Sequence, residues 1–288
     1  MIAQRQRLEK TKAAGGTLRK ALYTLLRVTA RVLERASRAF VYLAAGTLRL
    51  HELRQVIADA WEDFGREEGY ILSGLMVWEK AFYGRFLKPA DRILLVGCGT
   101  GRDLIALLKL GYRVEGLDVA PGAIGLARHI LEKEGLRSEL YTGPIEAVAL
   151  RGNFDAVVFS LYSYGLIPHS ETRVGVLRKV MAHLNPGGRI LISYNPADQR
   201  PRSLPIRLTR LLARLTRSDW HVELGDVIDA AANDWRRILY EHRFQNGELE
   251  TEARAAGLAI VFDERGKEGT AVLTAESRSG ADEPVRGR

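Results

Sequence analysis

The most constraining stretch is Ile93-Leu94-Leu95-Val96-Gly97-Cys98-Gly99-Thr100-Gly101-Arg102-Asp103-Leu104-Ile105-Ala106-Leu107-Leu108. Its first four residues form an apolar run that reads as a buried strand, and Leu104 onward reads as a helix. Between them, three glycines alternate with other residues. Such a turn lets a ligand approach bare backbone, and the following helix offers unpaired N–H groups in its first turn. The next β-like run, 112–117, leads to Asp118. A carboxylate at that distance suits the two hydroxyls of a nucleotide ribose. Gly97, Gly99 and Gly101 are spaced G-x-G-x-G, whereas a nicotinamide dinucleotide fingerprint needs its third glycine where Arg102 stands.

From here the pattern alternates. Strands are expected at 92–97, 112–118, 138–142, 154–160 and 188–194, and helices at 102–110, 121–134 and 170–184. Pro121 falls where the first turn of a helix tolerates proline. Asn185-Pro186-Gly187-Gly188 reads as a turn. A helix over 247–256 and two strands, 257–262 and 270–274, close the pattern. Alternation at this pitch predicts an α/β fold with a doubly wound, mostly parallel sheet and its ligand at the carboxyl ends of the strands. A helix over 69–87 leads into the sheet.

Charge separates the N-terminal part from the rest. Residues 1–50 carry eleven Lys and Arg against two Glu, a net of +9 in a chain whose formal total is +8, so the remainder sums to −1. Over 18–45, Leu18, Leu22, Leu25, Val32, Leu33, Ala36, Phe40 and Leu43 fall on one helical stripe. Lys20, Arg27, Arg31, Arg35 and Arg38 fall on the opposite face. A second amphipathic segment runs from Leu50 through Trp61 to Phe64, and the two are expected to pair as an αα-hairpin. Residues 1–15 read as a disordered leader. The stripe either lies on an anionic membrane or packs on the second helix or the domain, and packing is the commoner fate of such a face. No run reaches the roughly 18 uncharged apolar residues of a membrane span. The arginine-studded first apolar stretch does not fit a secretory leader. The single cysteine, Cys98, excludes an internal disulfide and a cysteine-cluster metal site, and fits a reducing, cytoplasmic compartment. No metal is assigned.

Four blocks, Val96-Gly97-Cys98-Gly99-Thr100-Gly101, Asp118, Phe154-Asp155-Ala156-Val157-Val158 and Leu184-Asn185-Pro186-Gly187-Gly188, together resemble the class I S-adenosylmethionine-dependent methyltransferases. The resemblance covers 91–195 and extends more weakly to 275. It implies a seven-stranded sheet whose last two strands are an antiparallel pair, and S-adenosylmethionine as cofactor. It implies that Gly97, Cys98, Gly99 and Gly101 pass along the methionine part, that Asp118 holds the ribose and that Val119 flanks the adenine. Phe159 and Ser160 would face the sulfonium. Many members carry an acid where Pro144 stands, which leaves adenine to backbone near Ile145. Cys98 reads as a small filler rather than a nucleophile. The expected organisation is a basic helical extension over 1–66, a methyltransferase domain over 67–275 with an insertion at 196–245, and a disordered tail over 276–288.

The loop 161–169 is expected to cover the transferring methyl group. His169 is the first candidate base, Tyr162 and Tyr164 are candidate orienters, and His242 is the second candidate base; a base is needed only for a protonated acceptor. The insertion's Arg207, Arg210, Arg214 and Arg217 alternate with leucines, a second basic amphipathic helix. The expected activity is methyl transfer to O or N of a small, apolar or lipid-like acceptor, with peripheral association with an anionic membrane as an accompanying expectation. The alternative is an RNA methyltransferase, because Tyr240-Glu241-His242-Arg243-Phe244 and Gly247-Glu248-Leu249 are similar to the corresponding block of the tRNA wobble-uridine carboxyl methyltransferases. Against it, no recognised RNA-binding module is present. A third reading is a degenerate cofactor domain that acts as an adaptor. Oligomeric state is not addressed by the sequence.

Overall fold

The structure is a computed structural model that describes residues 2–197, 203–231 and 234–276, with the side chains of 2–18, 203–204 and 234–236 left aside. Arg200, Arg202 and the expected tail beyond Glu276 lie outside the described residues. In chain order the elements are α1 (Ile2–Thr47), α2 (Leu50–Trp61), α3 (Glu68–Ile71), α4 (Val77–Phe86), β1 (Arg92–Val96), α5 (Arg102–Lys109), β2 (Arg113–Asp118), α6 (Pro121–Lys133) and β3 (Leu140–Thr142). There follow β4 (Phe154–Phe159), a 3-10 turn (Ser163–Leu166), α7 (Ser170–Ala182), β5 (Leu184–Tyr194), α8 (Ser203–Leu215), β6 (Asp226–Ala231), β7 (Asp234–His242), α9 (Glu248–Ala255), β8 (Leu258–Arg265) and β9 (Gly269–Ala275).

Seven strands form one sheet in the order β3-β2-β1-β4-β5-β9-β8, and only β9 runs against its neighbours. The expected doubly wound sheet with an antiparallel end is therefore present. β1 lies inside the sheet, and Ile93, Leu94, Leu95 and Val96 are buried on both faces, as a strand covered by helices on either side requires. Leu94 and Val96 join the cluster with Phe159, Val176 and Leu177, whereas Ile93 and Leu95 join the one with Leu104, Leu107 and Ile124. Each such side chain contributes about 1.5–3 kcal/mol relative to exposure.

Register positions the site. Val96 pairs with Leu117 of β2 on one side and with Phe159 of β4 on the other. The residues that follow these positions, Gly97, Asp118 and Ser160, therefore emerge side by side at the carboxyl edge. The strand order reverses between β1 and β4, where such sheets open a crevice.

Three expectations change. The helix expected over 69–87 is two helices, α3 and α4, separated by Gly74 with φ +82°. The stretch Asn185-Pro186-Gly187-Gly188, expected as a turn, lies within β5, where the pairing to β4 shifts register between Phe154 and Ala156. The helix expected over 18–45 extends through the expected leader to Ile2, and its partners are α8 and β6 while α2 packs on β7, so α1 and α2 do not form an αα-hairpin. The pieces from the two ends of the chain instead share one apolar cluster: Tyr42 and Ala45 of α1, Leu53 and Ile57 of α2, Ile206 of α8, Trp220, Val222, Ile228 and Tyr240.

Candidate functional site

Gly97 has φ +77° and Gly99 φ +50°, in the left-handed region that glycine enters without a side-chain clash. The amides of Gly97 and Cys98 both donate to Leu117 O, at 2.8 and 3.1 Å, which folds the turn back over β2. A Cβ on Gly97 would stand 2.4 Å from Ser163 Cβ, so glycine there is a packing requirement. A Cβ on Gly99 would meet no protein atom within 4 Å, and Gly99 lines the pocket. Cys98 Sγ packs against Gly116, and burial pushes its thiol well above the ordinary range, as suits a filler.

Asp118 closes the other side. Its Oδ2 accepts the Gly99 amide at 2.7 Å and its Oδ1 the Ala120 amide at 2.9 Å. Burial raises its pKa above the ordinary carboxylate value, against the pull of those backbone donors. Val119, Pro144 and Ile145 continue the wall, and Ser160 completes it while donating from Oγ to Gly97 O at 2.9 Å.

Beneath the turn, Arg102 makes a two-pronged pair with Glu79, at 2.6 and 2.8 Å, and donates to Gly74 O. Asp103 lies 2.6 Å from Arg102, but neither of its buried oxygens has a hydrogen bond of acceptable angle. Burial, then the neighbouring Glu79, lifts its pKa to about 7, and Arg102 opposes this. Asp103 also lines the pocket. Open space over Gly99, the Asp103 carboxylate paired with Arg102 and the carboxylate of Asp118 form a cradle suited to a ligand with a cationic end and a ribose.

The far wall comes from the N-terminal part, which the sequence reading treated as separate from the site. Arg54, Ile57 and Trp61 of α2, then Phe64 and Tyr70, line the same pocket. Trp61, Phe64 and Tyr70 are linked edge to face, at 4.9 and 5.8 Å. Three contacts hold this wall down. Thr100 Oγ donates to Gly65 O at 2.9 Å, the Gly122 amide donates to Glu62 at 2.6 Å, and Arg54 pairs with Glu146 at 2.8 Å. Glu62 thereby places a carboxylate at the N-terminus of α6, where the helix dipole favours it. A cluster of aromatic residues just before the first strand was the available signal.

The remaining expected site residues divide. Gly97, Cys98, Gly99, Asp118, Val119, Ile145 and Ser160 line the pocket. Gly101 stands behind it, its α-carbon facing Ala127, which lets α5 and α6 approach. Phe159 turns into the core edge to face with Tyr164 at 5.3 Å, so it faces the sheet's helix layer rather than the pocket. None of the four candidate bases and orienters lines the pocket. Tyr162, with φ +65°, stacks on Trp78, and burial pushes its phenol to about 12. Tyr164 is wholly buried and donates to Glu252 at 2.7 Å, and Arg173 grips the same carboxylate. His242 is wholly buried between Asp226 (2.7 Å) and Glu248 (3.0 Å). Burial disfavours its charge, but these two bonds prevail and raise its pKa to about 9. Both of its ring nitrogens are thereby occupied by carboxylate partners. His169, with φ +77°, meets the ring of His221 edge to face at 4.8 Å. His169, His221 and Glu223 offer ligand atoms within 4.8 Å of one another, although Glu223 also takes an amide from Ser170 and pairs with Arg173.

Comparison with known proteins agrees with this geometry. Residues 93–188 match the family described as "Methyltransferase domain". The ribosomal protein L11 methyltransferase of Thermus thermophilus is 32% identical over 117 residues, 41% of this chain and 43% of that protein. A ubiquinone biosynthesis O-methyltransferase of Xanthomonas axonopodis pv. citri is 30% identical over 155 residues, 52% of this chain and 63% of that protein. The chain thus spans about half the length of the curated relatives it matches. The glycopeptide N-methyltransferase MtfA, crystallised with S-adenosyl-L-homocysteine, has the same fold with a TM-score of 0.52 at 20% identity, over 69% of this chain and 88% of that one. The glycine turn, the acid after β2, the strand order and these likenesses converge: residues 93–188 match a methyltransferase domain, and the sheet built on them has the fold of S-adenosylmethionine-dependent methyltransferases.

Proposed function

We propose that this protein transfers a methyl group from S-adenosylmethionine to an oxygen or nitrogen of a small, apolar or lipid-like acceptor. The observation that carries this reading is one pocket with two kinds of wall. The sheet edge presents Gly99, Asp103, Asp118 and Ser160, the loop after β4 adds Leu161, Leu166 and Ile167, and α2 with the segment after it adds Ile57, Trp61 and Phe64. Bound cofactor supplies an electrophilic methyl group on a sulfonium. Asp118 would hold the ribose hydroxyls, Asp103 would face the ammonium end, and the open space at Gly99 would admit the methionine part. Val119 and Ile145 flank the base. The aromatic wall would exclude water and hold the acceptor's lone pair in line with that methyl group. Positioning of this kind supplies most of the rate gain in methyl transfer.

The relative named for ubiquinone biosynthesis is in keeping with an apolar acceptor. Since Tyr164 and His242 are committed to buried hydrogen bonds, the reading favours an acceptor atom that is already nucleophilic and needs no side-chain base from that pair. Peripheral attachment to an anionic membrane accompanies the reading.

Two measurements test it. Asp118→Ala should lower S-adenosyl-L-homocysteine affinity about 100-fold by calorimetry, the loss expected for two charge-assisted hydrogen bonds. Unchanged affinity removes the cofactor assignment. Incubation with methyl-labelled cofactor and fractionated cell extract should place label in lipid or small-molecule fractions. Label in RNA would transfer the assignment to the nucleic-acid alternative.

A further inference from the structure

α1 meets the body of the protein with the wrong face for a helix that simply packs. Its C-terminal end is buried through Tyr42, Ala45 and Gly46. Tyr42 donates to Asp226 O at 2.8 Å, and an added Cβ on Gly46 would strike Thr209 of α8. At spacings of three and four these positions continue the row Arg31, Arg35, Arg38. Arg38 accordingly reaches Asp229 of β6 at 3.7 Å. The apolar stripe lies on the opposite side of the same helix. Leu22, Leu25, Leu26, Val32, Leu33 and Phe40 are 53–69% exposed, and no described residue between 19 and 38 is buried. Of the two expected fates of the stripe, packing on the second helix or the domain is therefore not the one seen, and along 19–38 the arginine face is exposed as well. α8, packed beside α1, adds exposed Leu208, Leu211 and Leu215 next to exposed Arg207 and Arg214.

We infer that the outward stripe of α1 is a docking surface for an anionic lipid bilayer. An apolar row this long, left in water on a straight helix, marks an interaction surface. The choice of occupant follows from charge. Residues 1–50 carry +9 and the rest of the chain −1, so the arm is attracted to anionic lipid while the body is indifferent. A second copy of the chain would bring two such arms together against their mutual repulsion. The helix lies on the membrane rather than crossing it, because among the described residues no helix is long and apolar enough to span. Lys20, Arg27, Arg31 and Arg35 then sit within about one Debye length, roughly 8–10 Å, of the headgroups. This surface is distinct from the methyl-donor pocket and does not depend on the activity proposed above.

The test uses the full chain without cofactor, cosedimented with phosphatidylcholine vesicles with or without phosphatidylglycerol, at low and high salt. The expected result is binding to the phosphatidylglycerol vesicles that salt weakens and that falls roughly tenfold in pure phosphatidylcholine. The double variant Leu22→Asp, Leu33→Asp should lose roughly tenfold or more of the partition while its S-adenosyl-L-homocysteine affinity, which reports folding of the body, is unchanged. Absence of wild-type binding to anionic vesicles, or equal binding by the double variant, overturns the inference. So does a concentration-dependent dimer that the double variant dissolves, which would give the stripe to a second copy.

Discussion

Gly97 and Gly99 lie two residues apart in one turn and do opposite work. A side chain on Gly97 would displace Ser163, whereas one on Gly99 would enter the open space of the pocket. Gly97→Ala should therefore lower the melting temperature and weaken cofactor binding together. Gly99→Ala should lose about 1 kcal/mol of stability to backbone strain yet abolish detectable S-adenosyl-L-homocysteine binding. Thermal unfolding and calorimetry on both variants separate the two roles. The glycine spacing and Asp118 were legible from the sequence because strand, turn and acid are contiguous or nearly so. The fates of Phe159 and Ser160 were less so. Alternate residues of a strand face opposite sides, and which side meets the pocket depends on how β4 lies against β1.

Among the elements, the hairpin of β6 and β7 carries a histidine that the sequence offered as a candidate base. Its end residue His242 was expected near the acceptor. In the fold it ties the hairpin to the start of α9 through Asp226 and Glu248. Nothing in a one-dimensional pattern distinguishes a histidine that titrates in a pocket from one held between two carboxylates. The consequence is measurable. A histidine whose folded pKa is about 9 binds its proton more tightly in the folded state than in the unfolded state, with an ordinary value near 6.5. Its contribution is complete below pH 6.5 and is lost as pH rises through 9, amounting to about 3 kcal/mol. Denaturant unfolding of His242→Gln should show lower stability than wild type at pH 6, with the difference narrowing toward pH 9.5. A constant difference across that window would mean that the imidazole is not charged.

At the scale of the molecule, the pocket is a joint between two distant parts of the chain. The sheet edge supplies one wall and α2 the other, and α2 itself rests on the insertion through Leu53, Ile57, Val222 and Tyr240. Ligand that touches both walls should stabilise both. At one hundred times its dissociation constant, S-adenosyl-L-homocysteine adds about 2.7 kcal/mol to unfolding. Amide exchange should slow in α2 as well as in the glycine turn. In Trp61→Ala, exchange protection of α2 should shrink while that of the turn persists. Protection confined to the turn in wild type would mean that α2 does not close on the ligand.

The sequence by itself determined the sheet and the glycine turn with an acid beside it. Those depend on local periodicity, on turns that only glycine makes, and on an acid at the end of the adjacent strand, all encoded within about one hundred residues. Tertiary structure alone decided what lies across from them. The burial of Tyr164 and His242, the use of Trp61 and Phe64 as a wall, and the outward turn of the α1 stripe all depend on partners far away in the chain. A helical wheel shows that a helix has two faces. It cannot say which face meets the body, because that depends on the shape and charge of what arrives beside it: here α8, with Thr209 against Gly46, and β6, with Asp229 facing Arg38.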